Sequence, residues 1–176
     1  LLDWSCSMNY FIFKTIQQLI QLVYFCQKVN IPYDVFFFSS EFDGEYADRN
    51  HNKNFNYKNG DMILDTMKLV NVASSNLKKL QLDESMMFLY HLGLYYESRY
   101  SYRDYDYSKP EAPMLPREYY LGSTPLNEAL MVMLKYIPLF KAKYRVEKMN
   151  FITLTDGGSN YSGSNVLAYD SQSKSN

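Results

Sequence analysis

Leu1-Leu2-Asp3-Trp4-Ser5-Cys6-Ser7-Met8 begins with apolar residues and then delivers one carboxylate and two hydroxyls on alternate positions. Alternate residues of an extended chain point the same way, so Asp3, Ser5 and Ser7 converge at one point. The stretch reads as the end of a buried strand running into a sharp loop. In open α/β sheets that carboxyl edge is where ligands bind. Three oxygens suit a hard cation such as Mg²⁺, which takes roughly six oxygen ligands at about 2.0–2.1 Å. A soft-metal site would need Cys or His at this spacing.

Working outward, Ile12, Ile16, Leu19, Ile20, Val23 and Cys26 recur at helical spacing, with Lys14, Gln17, Gln18 and Gln21 between them. This predicts a long amphipathic helix ending near Asn30, ahead of Pro32, because a residue before proline disfavours the helical conformation. Tyr33 to Phe38 is a nearly continuous apolar run, the pattern of a strand covered on both faces. Strand, helix and parallel strand together make a βαβ unit. A strand over Thr66 to Ala73 follows without an intervening helix, so an antiparallel edge position is expected for it. Residues 39–60 and 97–121 are expected to be long loops within a single domain spanning 1–176. The second loop belongs to a Tyr-rich stretch, 95–107, whose Arg and Asp residues offset one another.

A short helix is expected over Asn76 to Leu80. Asp83 is expected to cap a stronger one carrying Met86, Met87, Leu89, Tyr90, Leu92 and Leu94. Thr124-Pro125 reads as an N-cap and first residue of another helix, with Leu126, Leu130, Met133, Leu134 and Ile137 on its apolar face and Pro138 as a kink. Met149 to Thr155 is expected to be a strand that ends at Asp156, with Gly157-Gly158 making the turn. Val166 to Tyr169 is a candidate for one further short strand, and the Ser-rich end reads as frayed.

The string DWSCSM resembles the D-x-S-x-S signature of von Willebrand factor A (VWA) domains. Their metal-ion-dependent adhesion site also takes a Thr from a second loop and an Asp from a third. Thr124 in LGSTPLNEAL and Asp156 in FITLTDGG stand in that order. The wording T-P-L-N-E-A-L is similar to the VWA subunit of cobalt chelatases and to VWA-like proteins of bacteriophages. Cys6 departs from the Gly common between the two serines.

The resemblance implies an α/β, three-layer Rossmann-like fold, with a mostly parallel central sheet, an antiparallel edge strand and helices on both faces. It implies Mg²⁺ (or Mn²⁺) held by Asp3, Ser5, Ser7, Thr124 and Asp156, with Trp4, Ser123 and Gly157 near the bound partner. An acidic residue of that partner would complete the metal sphere, and an AAA+ ATPase of the chelatase or MoxR type is the expected company. The setting implied is cytoplasmic, in a bacterium or a phage-infected cell. A whole VWA domain has further strands and a closing helix, so the chain is expected to be cut at both ends.

Taken singly, Ser and Thr before helices are more often caps than ligands, and Asp at a strand end is often a turn residue. It is their joint occurrence in family order that points to a metal. The formal charge of −1 gives no reason to expect a polyanion partner, so nucleic acid is not expected. No run reaches the roughly 18 uncharged apolar residues of a membrane span. The two cysteines, Cys6 and Cys26, lie in no metal or redox spacing. His51 in a polar loop and His91 on an apolar helix face read as solvated and packed. Met86-Met87 reads as core.

The competing reading is a Mg²⁺-dependent phosphohydrolase with Asp3 as nucleophile. That chemistry normally wants a second Asp two residues on, where this chain has Ser5. A P-loop, an H-E-x-x-H zinc motif and a G-x-S-x-G elbow are also missing from the sequence. Binding, rather than catalysis, is therefore the expectation.

Overall fold

A computed structural model describes residues 1–40, 62–63, 67–101, 115–159 and 165–166. Its core is α/β, with a three-stranded mixed sheet and three helices. β1 (Leu2–Asp3) pairs in parallel with β2 (Asp34–Ser40), the expected βαβ connection running through α1 (Ile12–Lys28). Strand β3 (Met62–Ile63) forms a separate antiparallel pair with β5 (Asn165–Val166). β4 (Met67–Ser74) lies antiparallel at the edge beside β2, close to the predicted 66–73. The register slips between Val35 and Phe36, and the Asn71 amide covers the irregularity by donating to the Val35 carbonyl at 3.2 Å.

The α1 stripe is as read. Ile12, Ile16, Leu19 and Val23 are buried, and Ile20 and Cys26 pack against the same core. The helix closes at Lys28, with Asn30 in the left-handed region at φ 55°. Helix α2 (Lys79–Ser101) buries Leu82, Met86, Leu89, Leu92 and Tyr96, a spacing of three and four that makes one face. At Gly93 it comes so close to α1 that an added Cβ would stand 2.8 Å from the Phe13 ring.

Several local expectations fail at α2. The separate helix over Asn76 to Leu80 does not form, and Asp83 lies inside α2, where it accepts from the Tyr24 hydroxyl at 3.0 Å. Of the loop expected over 97–121, residues up to Ser101 belong to α2 and Arg117–Tyr119 is a turn of 3₁₀-helix, while 102–114 lie outside the described residues. Met87 is 64 % exposed because it falls a residue past the buried stripe. His91 is exposed too, one residue ahead of buried Leu92.

Helix α3 runs from Leu126 to Tyr144 through Pro138. Its buried residues are Glu128, Ala129, Met133 and Phe140, whereas Leu130 and Leu134 face outward. Apolar residues surround this helix, so periodicity alone does not select the inward face; the contact of Tyr136 with Phe36 and Asp34 of β2 does.

Side-chain alternation on β2 separates two sets of contacts. Phe37 stacks on Trp4 at 4.1 Å, with Tyr96 of α2 edge-on to the same indole. Phe36, pointing the other way, meets Tyr136 of α3. The segment expected as a strand over 149–155 is extended but holds only one parallel bridge, Leu2 to Leu154, on the side of β1 away from β2. Two bonds of 2.9 Å, Leu154 N–H to the Leu1 carbonyl and Asp3 N–H to the Leu154 carbonyl, fix that register.

Ser39 and Ser40, expected to start a loop, extend β2. Residues 41–60, with His51, lie outside the described residues, as do 102–107 of the Tyr-rich stretch and 167–176. Among the described residues no helix is long and apolar enough to cross a membrane.

Candidate metal centre at the carboxyl end of the sheet

Three turns meet where β1 ends. The first runs from Ser5 into a 3₁₀ turn, Cys6–Tyr10, which separates the strand from α1, so the first full helical turn stands further from Ser7 than a direct strand-to-helix step would place it. The second is the Gly122–Thr124 segment. Ser5 and Gly122 form a parallel bridge, closed by Cys6 N–H to the Gly122 carbonyl at 2.9 Å and Gly122 N–H to the Trp4 carbonyl at 3.1 Å. Glycine is required there by close approach, since a Cβ would sit 2.5 Å from the Ser40 carbonyl oxygen and 2.6 Å from Ser39 Oγ. The third turn, Thr155 to Gly158, follows from the register of Leu154 against β1.

Three of the five predicted ligands, Ser5, Ser7 and Asp156, are joined by hydrogen bonds. Ser7 Oγ donates to Asp156 Oδ1 at 3.0 Å and stands 2.9 Å from Ser5 Oγ. Ser7 has one proton, spent on Asp156, so the Ser5 hydroxyl donates to Ser7. Asp3 joins the same group from below. Its Oδ2 accepts from Thr155 Oγ1 at 2.7 Å, and Thr155 is the residue next to Asp156. Asp3 and Ser5 are 0 % and 1 % exposed, while Ser7 and Asp156 are open to solvent. The group therefore has a buried floor and an accessible rim.

Asp3 is electrostatically uncomfortable. Burial pushes its carboxyl above the usual range, and the negative charge of Asp156 acts in the same direction, against the hydrogen bond from Thr155. Its second oxygen, Oδ1, is fully buried and has no hydrogen-bond partner. Buried polar atoms are nearly always paired, so a buried carboxylate oxygen without a donor is a specific anomaly. A divalent cation fits it: every donor in the group is a hard oxygen, and a cation beside Asp3 would offset both its desolvation and its repulsion from Asp156. No cluster of three or more His, Cys, Asp or Glu occurs among the described residues, so hydroxyls would have to supply part of any coordination sphere.

Thr124 is in the right neighbourhood but plays a different local part from the one expected. It is buried, two residues beyond Gly122, and its hydroxyl makes no hydrogen bond with the other four predicted ligands. It does not cap α3. Pro125, at φ −80° and ψ 59°, makes an inverse γ-turn in which Leu126 N–H donates to the Thr124 carbonyl at 2.9 Å, so the helix starts one residue late. Ser159 takes over the capping role from the third turn. Its Oγ accepts from Asn127 N–H and donates to the Thr124 carbonyl, both at 3.4 Å.

Of the residues expected near a partner, Ser123 and Gly157 are exposed. Trp4 is not available. It is 0 % exposed, stacked on Phe37, and its Nε1 donates to the Tyr119 carbonyl at 2.8 Å. Strand alternation sends Trp4 into the core on the face opposite Asp3, a consequence of the same pattern that selects the site. The thiol of Cys6 is raised by desolvation and donates to the Leu121 carbonyl at 3.5 Å, which lowers its thiolate fraction.

Thr155 is the site residue that motif reading misses. It stands inside the apolar run of 149–155, and only the pairing of Leu154 with Leu2 brings its hydroxyl to Asp3. No protein-family model matches the chain, and comparisons with curated proteins and with solved structures likewise find no match.

Proposed function

We propose that this chain is a divalent-metal-dependent protein-binding module of the VWA type, and that it binds rather than catalyses. The observation that carries the reading is the buried, partnerless Asp3 Oδ1 at the foot of a cluster shared by Ser5, Ser7 and Asp156. Ser5, Ser7 and Thr124 would contribute neutral hydroxyls, with Asp3 and Asp156 contributing charge directly or through water. Mg²⁺ or Mn²⁺ held there would supply an electrophilic position for a carboxylate from outside, because neutral hydroxyls compensate its charge incompletely. The chain's own part is positional. β1 fixes Asp3, the bridge to Gly122 fixes Ser5, and the exposed Ser7 and Asp156 leave the rim open to a Glu or Asp of a partner.

The finer fold belongs to the same proposal. An antiparallel edge strand, Leu154 beside β1 on the side away from β2, and the contacts of α2 with Trp4, stacked on Phe37, and of α3 with Phe36 support a three-layer VWA arrangement. The resemblance adds an AAA+ ATPase of the chelatase or MoxR type as the partner, and a cytoplasmic setting.

The test is capture of that class of partner on immobilised protein in Mg²⁺, followed by elution with chelator. Binding that requires Mg²⁺ and is lost in Asp3→Asn and Ser7→Ala supports the proposal. Equal capture in excess chelator contradicts it.

A further inference from the structure

We propose that Thr155 is the positioning residue of this site, its hydroxyl selecting which oxygen of Asp3 is presented to a cation. The inference rests on the metal-binding reading above and concerns a residue outside the D-x-S-x-S, Thr and Asp pattern.

A carboxylate turns about a broad, roughly two-fold terminal torsion, so its two oxygens exchange places easily unless something distinguishes them. Here the distinction is a single hydrogen bond. Thr155 Oγ1 donates to Asp3 Oδ2 at 2.7 Å, and Oδ1 is left without a donor. Backbone pairing makes the contact accurate, because Asp3 N–H donates to the carbonyl of Leu154, the residue preceding Thr155. The same Thr155 oxygen accepts from Gly157 N–H at 3.3 Å, across the turn that carries Asp156. One hydroxyl thus ties the Asp3 carboxylate, by donating, to the backbone of the turn that carries Asp156, by accepting.

Outer partners of ligating groups typically change metal affinity by about 10–100-fold when removed. Thr155→Val keeps the shape and β-branching but deletes the donor, and Thr155→Ser restores it. The experiment titrates Mn²⁺ alone against wild type, Thr155→Val, Thr155→Ser and Asp3→Asn, following free Mn²⁺ by electron paramagnetic resonance. Metal-free thermal unfolding is recorded for each. The expected result is tight binding by wild type, about tenfold or greater weakening in Thr155→Val, recovery to within about threefold in Thr155→Ser, and loss in Asp3→Asn.

If Thr155→Val binds Mn²⁺ as wild type does, the positioning role is overturned while the metal site stands. If Thr155→Ser binds as weakly as Thr155→Val, the hydroxyl is not the determinant and the role is likewise overturned. Failure of wild type to bind Mn²⁺ removes the metal reading itself, and the positioning role with it.

Discussion

Asp3 and Asp34 occupy opposite ends of the same small sheet, and their surroundings could hardly differ more. Asp34 opens β2, and its side chain is only 4 % exposed. Both its oxygens are served: the Tyr136 hydroxyl donates to Oδ2 and the Tyr144 hydroxyl to Oδ1 at 3.4 Å, with Lys143 Nζ 4.0 Å from Oδ2. Burial holds the Tyr136 phenol well above its ordinary pKa, and Asp34 adds to that effect. Asp3 is more deeply buried, yet only one of its oxygens has a donor, and the nearest named charge is the like charge of Asp156. One aspartate is satisfied within the chain and fastens α3 to the sheet. The other has a need that the chain leaves unmet, as expected where a protein trades stability for a ligand.

This contrast makes opposite demands on the two residues. The largest effect is expected from Asp34→Ala, which strands the Tyr136 hydroxyl, leaves Tyr144 with Ser74 alone and should cost about 3 kcal/mol in urea unfolding. Any Mg²⁺-induced stabilisation should survive that change, since the site lies at the other end of β2. Tyr136→Phe removes one hydrogen bond to a charged acceptor and should cost about 1.5 kcal/mol by the same measurement.

Asp3→Asn should do the reverse, leaving metal-free stability unchanged or raising it by roughly 1 kcal/mol, because it deletes a buried charge that lacks a partner. The pH dependence follows from the raised carboxyl. A folded pKa above the unfolded value of about 3.9 means that Asp3's contribution is fully present below that pH and is lost as pH rises through the folded pKa. Unfolding measured between pH 4 and 7 without metal should show this loss in wild type and not in Asp3→Asn.

The same contrast marks what could be read along the chain. Asp3, Ser5, Ser7 and Asp156 were legible because short-range alternation and strand ends are local properties, and the α1 stripe was legible because one helix face is much more apolar than the other. Tyr136 and Tyr144, by contrast, reach Asp34 from 102 and 110 residues away, and no periodicity encodes such a partner. The inward face of α3 is legible only in part for the same reason: Met133 packs as expected, but Leu130 and Leu134, no less apolar than the buried Ala129, face outward. Trp4, expected near a partner, is turned inward by the same alternation that aims Asp3 and Ser5 at the site. Thr155 escaped because its role depends on the register of two strands distant in sequence.

The most direct test is chemical unfolding of wild type and Asp3→Asn in chelator and in Mg²⁺ at a hundred times its dissociation constant. A ligand that binds only the folded state stabilises by about 2.7 kcal/mol at that ratio. Wild type should gain an increment of that order, and Asp3→Asn should gain none. Equal increments in the two proteins, or none in wild type at any Mg²⁺ concentration, would mean that the unpaired oxygen of Asp3 is not what a cation recognises.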